Sequence, residues 1–537
     1  MKLHTRTCRG AVVALLAGGL LLTGCSGDNL QDTSKAAERP AHGGAPGNGS
    51  GSTGGSGAAR PADGVEQGEG RPEGEQKQDD KGRDFAPEPD YLSTFALDVD
   101  TASYGYALRT LDEGRLPDPG TVRPEEFVNS FRQDYERPEG DGFSVTVDGA
   151  AAPGADDDWS LLRVGLATRP ADHGGERPPA ALTFVIDISG SMAEPGRLDL
   201  VKESLGILTD ELRGDDSIAL VTFSAEAETR LPMTRVGDSR ARIHDVIEEL
   251  EPSDSTNVGA GVETGYDEAV DGRRSGATNR VVLLSDALAN TGETQADAIL
   301  ERIEGARSEH GITLFGVGVG SDYGDALMEQ LADKGDGHTT YVSDKEQARK
   351  VFVDQLPMNV ELRARDAKAQ VAFDSGTVER FRPIGYENRA VADEDFRDDR
   401  VDGGEVGPGH TVTALYAVRL RPGASGEVAR ATVRWLDPET RAPHERSGSI
   451  GASAVDSRLW GDAEPRLQVT AVAAYFAEAL RGGSTIDDTL PGAPGLGELE
   501  KRARTLADST EDRSVKELAE AIDQASRLRD RDGPGQD

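Results

Sequence analysis

Between residues 182 and 342 the sequence alternates short, unbroken apolar runs with longer amphipathic stretches, and no other feature constrains the fold as tightly. The apolar runs cover residues 182–187, 217–223, 280–286, 312–319 and 338–342, and helical periodicity fills stretches such as 198–212 and 296–306. A run of Val, Ile and Leu with no polar face belongs to a strand buried on both sides. Strands of that kind separated by helices predict a parallel sheet covered on both faces, an α/β doubly wound domain over residues 180–356. About 175 residues suffice to close such a core.

The rhythm changes on either side. Phe143, Val145 and Val147 alternate with polar residues, as do Leu162, Val164 and Leu166. Val412, Ala414, Tyr416, Val418 and Leu420 share one face, and Ala429, Ala431, Val433 and Trp435 follow after Pro422-Gly-Ala-Ser-Gly426. That pattern predicts an antiparallel hairpin. Neither set can cover its apolar face alone. The two are therefore expected to pair into one β-sandwich through which the α/β domain is inserted.

The flank at residues 90–179 also reads as a strand at 93–98, a helix at 104–112 stopped by Gly114, and a Pro-initiated helix from Pro124. Residues 357–455 read as β-rich and 456–530 as helical, with apolar residues at helical spacing over 467–480, 496–506 and 515–525. The polar end, fraying from Arg529, leaves 531–537 as a disordered tail.

At the N-terminus, Lys2, Arg6 and Arg9 precede an apolar stretch over residues 11–22 and then Leu22-Thr23-Gly24-Cys25. The stretch is too short to span a bilayer, which takes about 20 residues, so 1–25 reads as a signal peptide. Its ending resembles a bacterial lipobox, which implies that Cys25 is lipidated and becomes the new N-terminus. Cys8 leaves with the signal, so no disulfide is expected. Residues 26–89 are Gly-, Ser-, Pro- and Glu-rich and cannot bury a core, so they are expected to form a disordered tether. A flexible chain of that length reaches roughly 45 Å.

Charge excludes some partners. Lys and Arg number 59 against 97 Asp and Glu, a formal net charge of −38. Such a surface repels phosphate backbones and anionic membranes, so no nucleic acid is expected, and only a lipid would hold the chain at a membrane. The expected place is the extracytoplasmic face of the cell membrane.

Chemistry gathers at the strand ends. The first apolar strand runs into Asp187-Ile-Ser189-Gly-Ser191, and the strand ending at Ser285-Asp286 closes on a second acid. Between them Ser255-Thr256-Asn257 forms a hydroxyl-rich turn entering a helix. Ligands of doubly wound sheets bind beyond the carboxyl ends of the strands, so one crevice collects Asp187, Ser189, Ser191, Thr256 and Asp286. All five donors are oxygens, which suits a hard cation.

The order Asp-x-Ser-x-Ser, then Thr, then Asp resembles the metal-ion-dependent adhesion site of von Willebrand factor A domains, whose fold is Rossmann-like. The resemblance implies one Mg²⁺ (or Mn²⁺ or Ca²⁺) ligated by the hydroxyls of Ser189, Ser191 and Thr256. Asp187 and Asp286 would act through bound water. In one departure, Ala287 stands where the family usually has Gly. Residues 97–104, 384–389 and 409–416 look like the flanking regions of a bacterial family of A-domain lipoproteins, so the likeness covers about residues 90–528.

Other motifs are weaker. Asp98-Val99-Asp100-Thr101 fits the Asp-x-Asp-x-Thr of aspartyl-nucleophile phosphatases. However, Gly214-Asp215-Asp216 precedes its strand, at the wrong end of a sheet for that chemistry. Gly316-Val317-Gly318-Val319-Gly320 lacks the third glycine of a dinucleotide loop. His310, His338 and His410 read as structural. The acidic run over 393–402 is a solvated loop or a Ca²⁺ site.

These readings predict a lipid-anchored binding protein, not an enzyme, that takes an Asp or Glu carboxylate of a protein ligand as a further metal ligand. The site is expected on a loop, so that Asp187→Ala or Ser189→Ala would leave the fold near native. Two alternatives are a hydrolase using the same metal as a Lewis acid and a scaffold for an ATPase partner. The motif offers no His, Lys or Cys as a base, and a signal peptide argues against a cytoplasmic ATPase.

Overall fold

The computed structural model describes residues 90–532 except 141, 153–158, 171–177, 254, 287–294, 320–324, 334–337, 343, 356–361, 402, 439, 483–489 and 491–492. The expected signal, tether and lipidation residue Cys25 lie outside the described residues, as do positions 533–537.

The chain opens with β1 (Leu92–Ala96), α1 (Ala102–Asp112), α2 (Pro124–Asn129), β2 (Phe143–Ala151) and β3 (Trp159–Thr168). Gly114 stops α1 at φ +76°, a conformation open to glycine at little steric cost. Then β4 (Ala180–Asp187), α3 (Leu198–Glu211), β5 (Ser217–Phe223), β6 (Ala227–Arg235), α4 (Val236–Glu248), α5 (Val258–Asp271) and β7 (Thr278–Ser285) follow. The α/β domain is completed by α6 (Ala296–His310), β8 (Thr313–Val319), α7 (Asp325–Asp333), β9 (His338–Val342) and α8 (Lys345–Arg349). Its six strands lie in the order β6-β5-β4-β7-β8-β9.

This is the doubly wound sheet that the apolar rhythm predicts. Along β4, Leu182, Phe184 and Ile186 face a core shared with Val201, Leu205 and Leu208 of α3. Val185 faces the opposite core with Val262 and Tyr266 of α5. Burying each such side chain is worth roughly 1.5–3 kcal/mol. The sheet is not wholly parallel, however. β6 pairs antiparallel with β5 at the edge. Its sequence, AETRLPMTR, has only Leu231 fully buried, so it carries no apolar run by which to be recognised.

After the domain come β10 (Ala364–Phe373), β11 (Val378–Ile384), β12 (Gly404–Val406), β13 (Thr411–Leu420), β14 (Glu427–Leu436) and β15 (Pro443–Gly451). They build two antiparallel sheets, β1-β10-β14-β15 with β12 beside β10, and β11-β13-β3-β2. β3 from before the insertion pairs with β13 from after it, Val164 opposite Ala414. One sandwich with the α/β domain inserted through it is therefore the architecture.

The expected hairpin is wrong in its pairing. β13 pairs with β11 and β3, whereas β14 pairs with β10 and β15. The glycine-rich turn at 421–426 carries the chain from one sheet to the other. Period-two alternation reports that one face is buried but not which strand lies alongside. Here Val412, Ala414, Tyr416 and Val418 face the same core as Ala429, Ala431 and Val433 across the sandwich.

The far face of the β11-β13-β3-β2 sheet is covered by helices. Leu415 and Leu161 join α2 and the terminal helices α9 (Pro465–Leu480), α10 (Leu496–Thr510) and α11 (Arg513–Asp532) in a second core. α11 runs on to Asp532 rather than fraying at Arg529. Covered on both sides, β3 is buried along its whole length.

Candidate metal centre at the carboxyl ends of the sheet

Asp187 is the last residue of β4, and its carboxyl group is fully buried. Asp187 Oδ1 accepts from the Ser189 backbone N–H at 2.8 Å, and Oδ2 accepts from Ser285 Oγ at 2.5 Å. Burial pushes the Asp187 carboxyl up to about 6, against the hydrogen bonds from Ser285 and Ser189 that pull it down. Ser189 is buried, Ser191 partly so, and their hydroxyl oxygens lie 3.1 Å apart.

The turn carrying Thr256 is strapped to the same loop. The Ser253 N–H donates to the Ile188 carbonyl at 2.6 Å, and the Asn257 N–H donates to the Ser224 carbonyl at 2.8 Å. Ser255 takes φ +68°, a left-handed conformation unusual for a residue with a side chain, and Thr256 beside it is 2% exposed. Asn257 caps α5 by accepting from the Ala260 N–H at 3.1 Å. The helix then packs close against the sheet because Gly261 and Gly265 have no side chain. A Cβ would meet Phe223 at 2.6 Å and Val185 at 2.2 Å.

Asp286 follows β7 and is fully buried. Its Oδ2 accepts from Arg197 Nη1 at 2.8 Å, and the Arg197 side chain is only 2% exposed. Arg197 also donates to the Ser191 carbonyl at 3.2 Å and to Glu194 Oε2 at 2.8 Å. Asp187, Ser189, Ser191 and Asp286 are thus joined through Ser285 and Arg197, with Thr256 in the adjoining strapped turn.

Two of these residues are not found by motif reading. Ser285 has a signal, a hydroxyl ending an otherwise apolar strand. Arg197 has a fainter one, because a cation directly before α3 runs against the helix macrodipole. One expectation is corrected. The acids are not on a free loop but inside the domain, so Asp187→Ala would strand buried donors and cannot leave the fold untouched.

The donor set fits a hard divalent cation. It is all oxygen, rich in neutral hydroxyls and shielded from bulk water. Among the described residues, no group of three or more His, Cys, Asp or Glu is arranged around a metal position. A hydroxyl-based site would not form such a group.

The weaker motifs are engaged elsewhere. Asp98 and Asp100 are buried and pair with Arg389 at 3.3 and 3.1 Å. Asp100 also accepts from the Thr339 N–H at 2.7 Å, tying the flank to β9. Asp216 is a structural acid, accepting from the Ala180 and Arg213 N–H groups. Gly316 and Gly318 lie within β8. In the 393–402 run, Asp398 pairs with Arg400 and Asp399 with Arg434.

Fold and site define a von Willebrand factor type A domain protein. The family model described as "von Willebrand factor type A domain" matches residues 181–354. Those described as "von Willebrand factor" and "Uncharacterized protein YfbK, C-terminal" match residues 75–163 and 360–425. The chain belongs to the bacterial A-domain family that includes uncharacterized protein YfbK of Escherichia coli (strain K12). It is 33% identical to that protein over 422 residues, covering 74% of this chain and 72% of YfbK.

It is also similar to human inter-alpha-trypsin inhibitor heavy chain H3, 26% identical over 29% of this chain and 18% of that one. Among solved structures, a von Willebrand factor type A protein from Catenulispora acidiphila is similar. It is 18% identical with a TM-score of 0.44, over 72% of this chain and 91% of that one.

Proposed function

We propose that this protein is a lipid-anchored, extracytoplasmic binding protein, not an enzyme. Its A domain would capture a protein ligand through one divalent cation, Mg²⁺ or else Mn²⁺ or Ca²⁺. The observation that carries the reading is the buried oxygen constellation, with both Asp187 oxygens fixed and the Ser189 and Ser191 hydroxyls side by side. Ser189, Ser191 and Thr256 would hold the ion directly, and Asp187 and Asp286 would hold it through water. The bound ion would supply a positively charged coordination position.

Arg197 adds to that. Two carboxylates would just balance a divalent ion, but the buried guanidinium on Asp286 offsets one of them. Among the buried groups the filled site would therefore carry net positive charge, because Glu194, the other partner of Arg197, is 62% exposed and screened by solvent. An Asp or Glu carboxylate about 4 Å away gains roughly 4 kcal/mol at an effective dielectric of 20, which a neutral group does not. Neutral hydroxyls suit holding a cation, and neither they nor a guanidinium can serve as a base at neutral pH. Membrane attachment would rest on the acyl chains of Cys25, because the acidic chain has no electrostatic attraction to the bilayer.

Two measurements test this. Capture of an envelope protein by the purified chain is expected to require Mg²⁺, to be lost with EDTA or in Ser191→Ala, and to fail when the captured protein's contact Glu is changed to Gln. Capture that persists with metal demonstrably removed would refute the mechanism. Cys25→Ala is expected to release the protein from salt-washed membranes, and its retention there would refute the anchor.

A further inference from the structure

The opposite pole of the same sheet has the reverse chemistry. At the amino ends of the parallel strands, where the A domain meets the sandwich, a cavity of about 730 Å³ opens. Its lining includes five arginines, Arg273, Arg274, Arg280, Arg363 and Arg365, together with His310. Among the described residues lining it, the single acid is Asp437, whose Oδ1 already accepts the N–H and hydroxyl of Thr440 at 2.7 Å. In a chain with 97 acidic and 59 basic residues, this local inversion is not what composition would produce by chance.

Three of the arginines are held in place by the fold. Arg274 donates to the Asp215 carbonyl at 2.5 Å and to Ser217 Oγ at 2.8 Å. Arg280 on β7 and Arg365 on β10 share one carboxylate, Glu405, at 3.3 and 3.2 Å. Arg280 is fully buried, and its Nε and Nη1 find no partner among the described residues. Buried in this way, Arg280 adds positive charge to the cavity wall, while Arg273, Arg274, Arg363 and Arg365 remain partly or well exposed to meet an incoming oxyanion. One wall is flat and aromatic, with Trp435 stacked on His444 at 5.5 Å and 24°.

A concave site of this volume takes a small molecule rather than a protein face. Guanidinium forks match carboxylate and phosphate oxygens two at a time. We infer that this cavity is a second ligand site, one that binds a small molecule carrying two or more oxyanion groups, phosphate or carboxylate. It is separate from the metal centre. Arg280 and Asp286 stand at opposite ends of β7, about 20 Å apart at the rise of a strand. It spans residues of β7 and β10, so its occupant touches both the A domain and the sandwich.

Calorimetric titration of the purified full chain at low salt, with pyrophosphate and separately with citrate, tests this. Saturable binding of at least one probe is expected, weakened about tenfold or more in Arg273→Ala and in Arg363→Ala. Both arginines are partly or well exposed, so the variants are expected to fold, which circular dichroism checks. Ser191→Ala is expected to leave this binding unchanged. Tighter pyrophosphate binding identifies a phosphate ligand, and tighter citrate binding a carboxylate. If the parent chain binds neither probe at about 10 mM, or if binding survives both arginine substitutions, the inference is overturned.

Discussion

The carboxyl groups of Asp187 and Glu125 are both withdrawn from solvent, and the fold treats them in opposite ways. Asp187 has a hydrogen-bond donor on each oxygen and sits beside the Arg197–Asp286 ion pair. Glu125, on α2, is 1% exposed, and neither of its oxygens finds a partner in another of the described residues. Burial raises both, Asp187 to about 6 and Glu125 to about 8. For Glu125 the neighbouring Glu387 and Asp98 charges push further in the same direction. The comparison separates an acid wired to carry charge from one kept neutral. Glu125 is thereby held further toward its neutral form than Asp187.

The largest effect expected from breaking this contrast comes at Asp187. Replacing it with Ala leaves the Ser285 hydroxyl and the Ser189 N–H buried without an acceptor, at about 1–3 kcal/mol each. Asp187→Ala is therefore expected to lose about 2–4 kcal/mol in denaturant unfolding along with metal binding. Unchanged stability would mean that the wiring around Asp187 is not needed by the fold.

A smaller effect, with a distinctive pH signature, is expected at Glu125. Its folded value lies above the ordinary glutamate value, so its contribution is full below about 4.5 and is lost as pH rises through about 8. Glu125→Gln removes that dependence. The variant is expected to match the parent near pH 4.5 and to exceed it by roughly 1–3 kcal/mol at pH 9. Stability curves that run parallel across this range would contradict the assignment of Glu125 as a neutral buried acid.

How much of this was legible in the sequence follows from the same physics. The buried strands of the A domain announce themselves because each is apolar on both faces, as in LTFVI at 182–186. The metal motif is legible because Asp187, Ser189 and Ser191 are adjacent in the chain and the two remaining residues close the crevice. β6 escaped because an edge strand needs only one buried side chain, Leu231. The pairing of β13 and β14 was misread because alternation carries no information about which sheet a strand joins. Arg197, Glu125 and the five cavity arginines are scattered over the chain, and only the fold brings each to its neighbours.

Titration of Mg²⁺ into the metal-stripped full chain tests most directly whether the hydroxyl-lined pole binds one divalent cation. Ser191 is the donor to remove, because it is partly exposed and its loss is expected to cost the fold less than about 1 kcal/mol. One saturable site per parent chain is expected, weakened tenfold or more in Ser191→Ala with the melting temperature of the metal-free protein lowered by no more than about 4 °C. A parent chain that binds no Mg²⁺, Mn²⁺ or Ca²⁺, or a Ser191→Ala variant that binds as tightly as the parent, would contradict it.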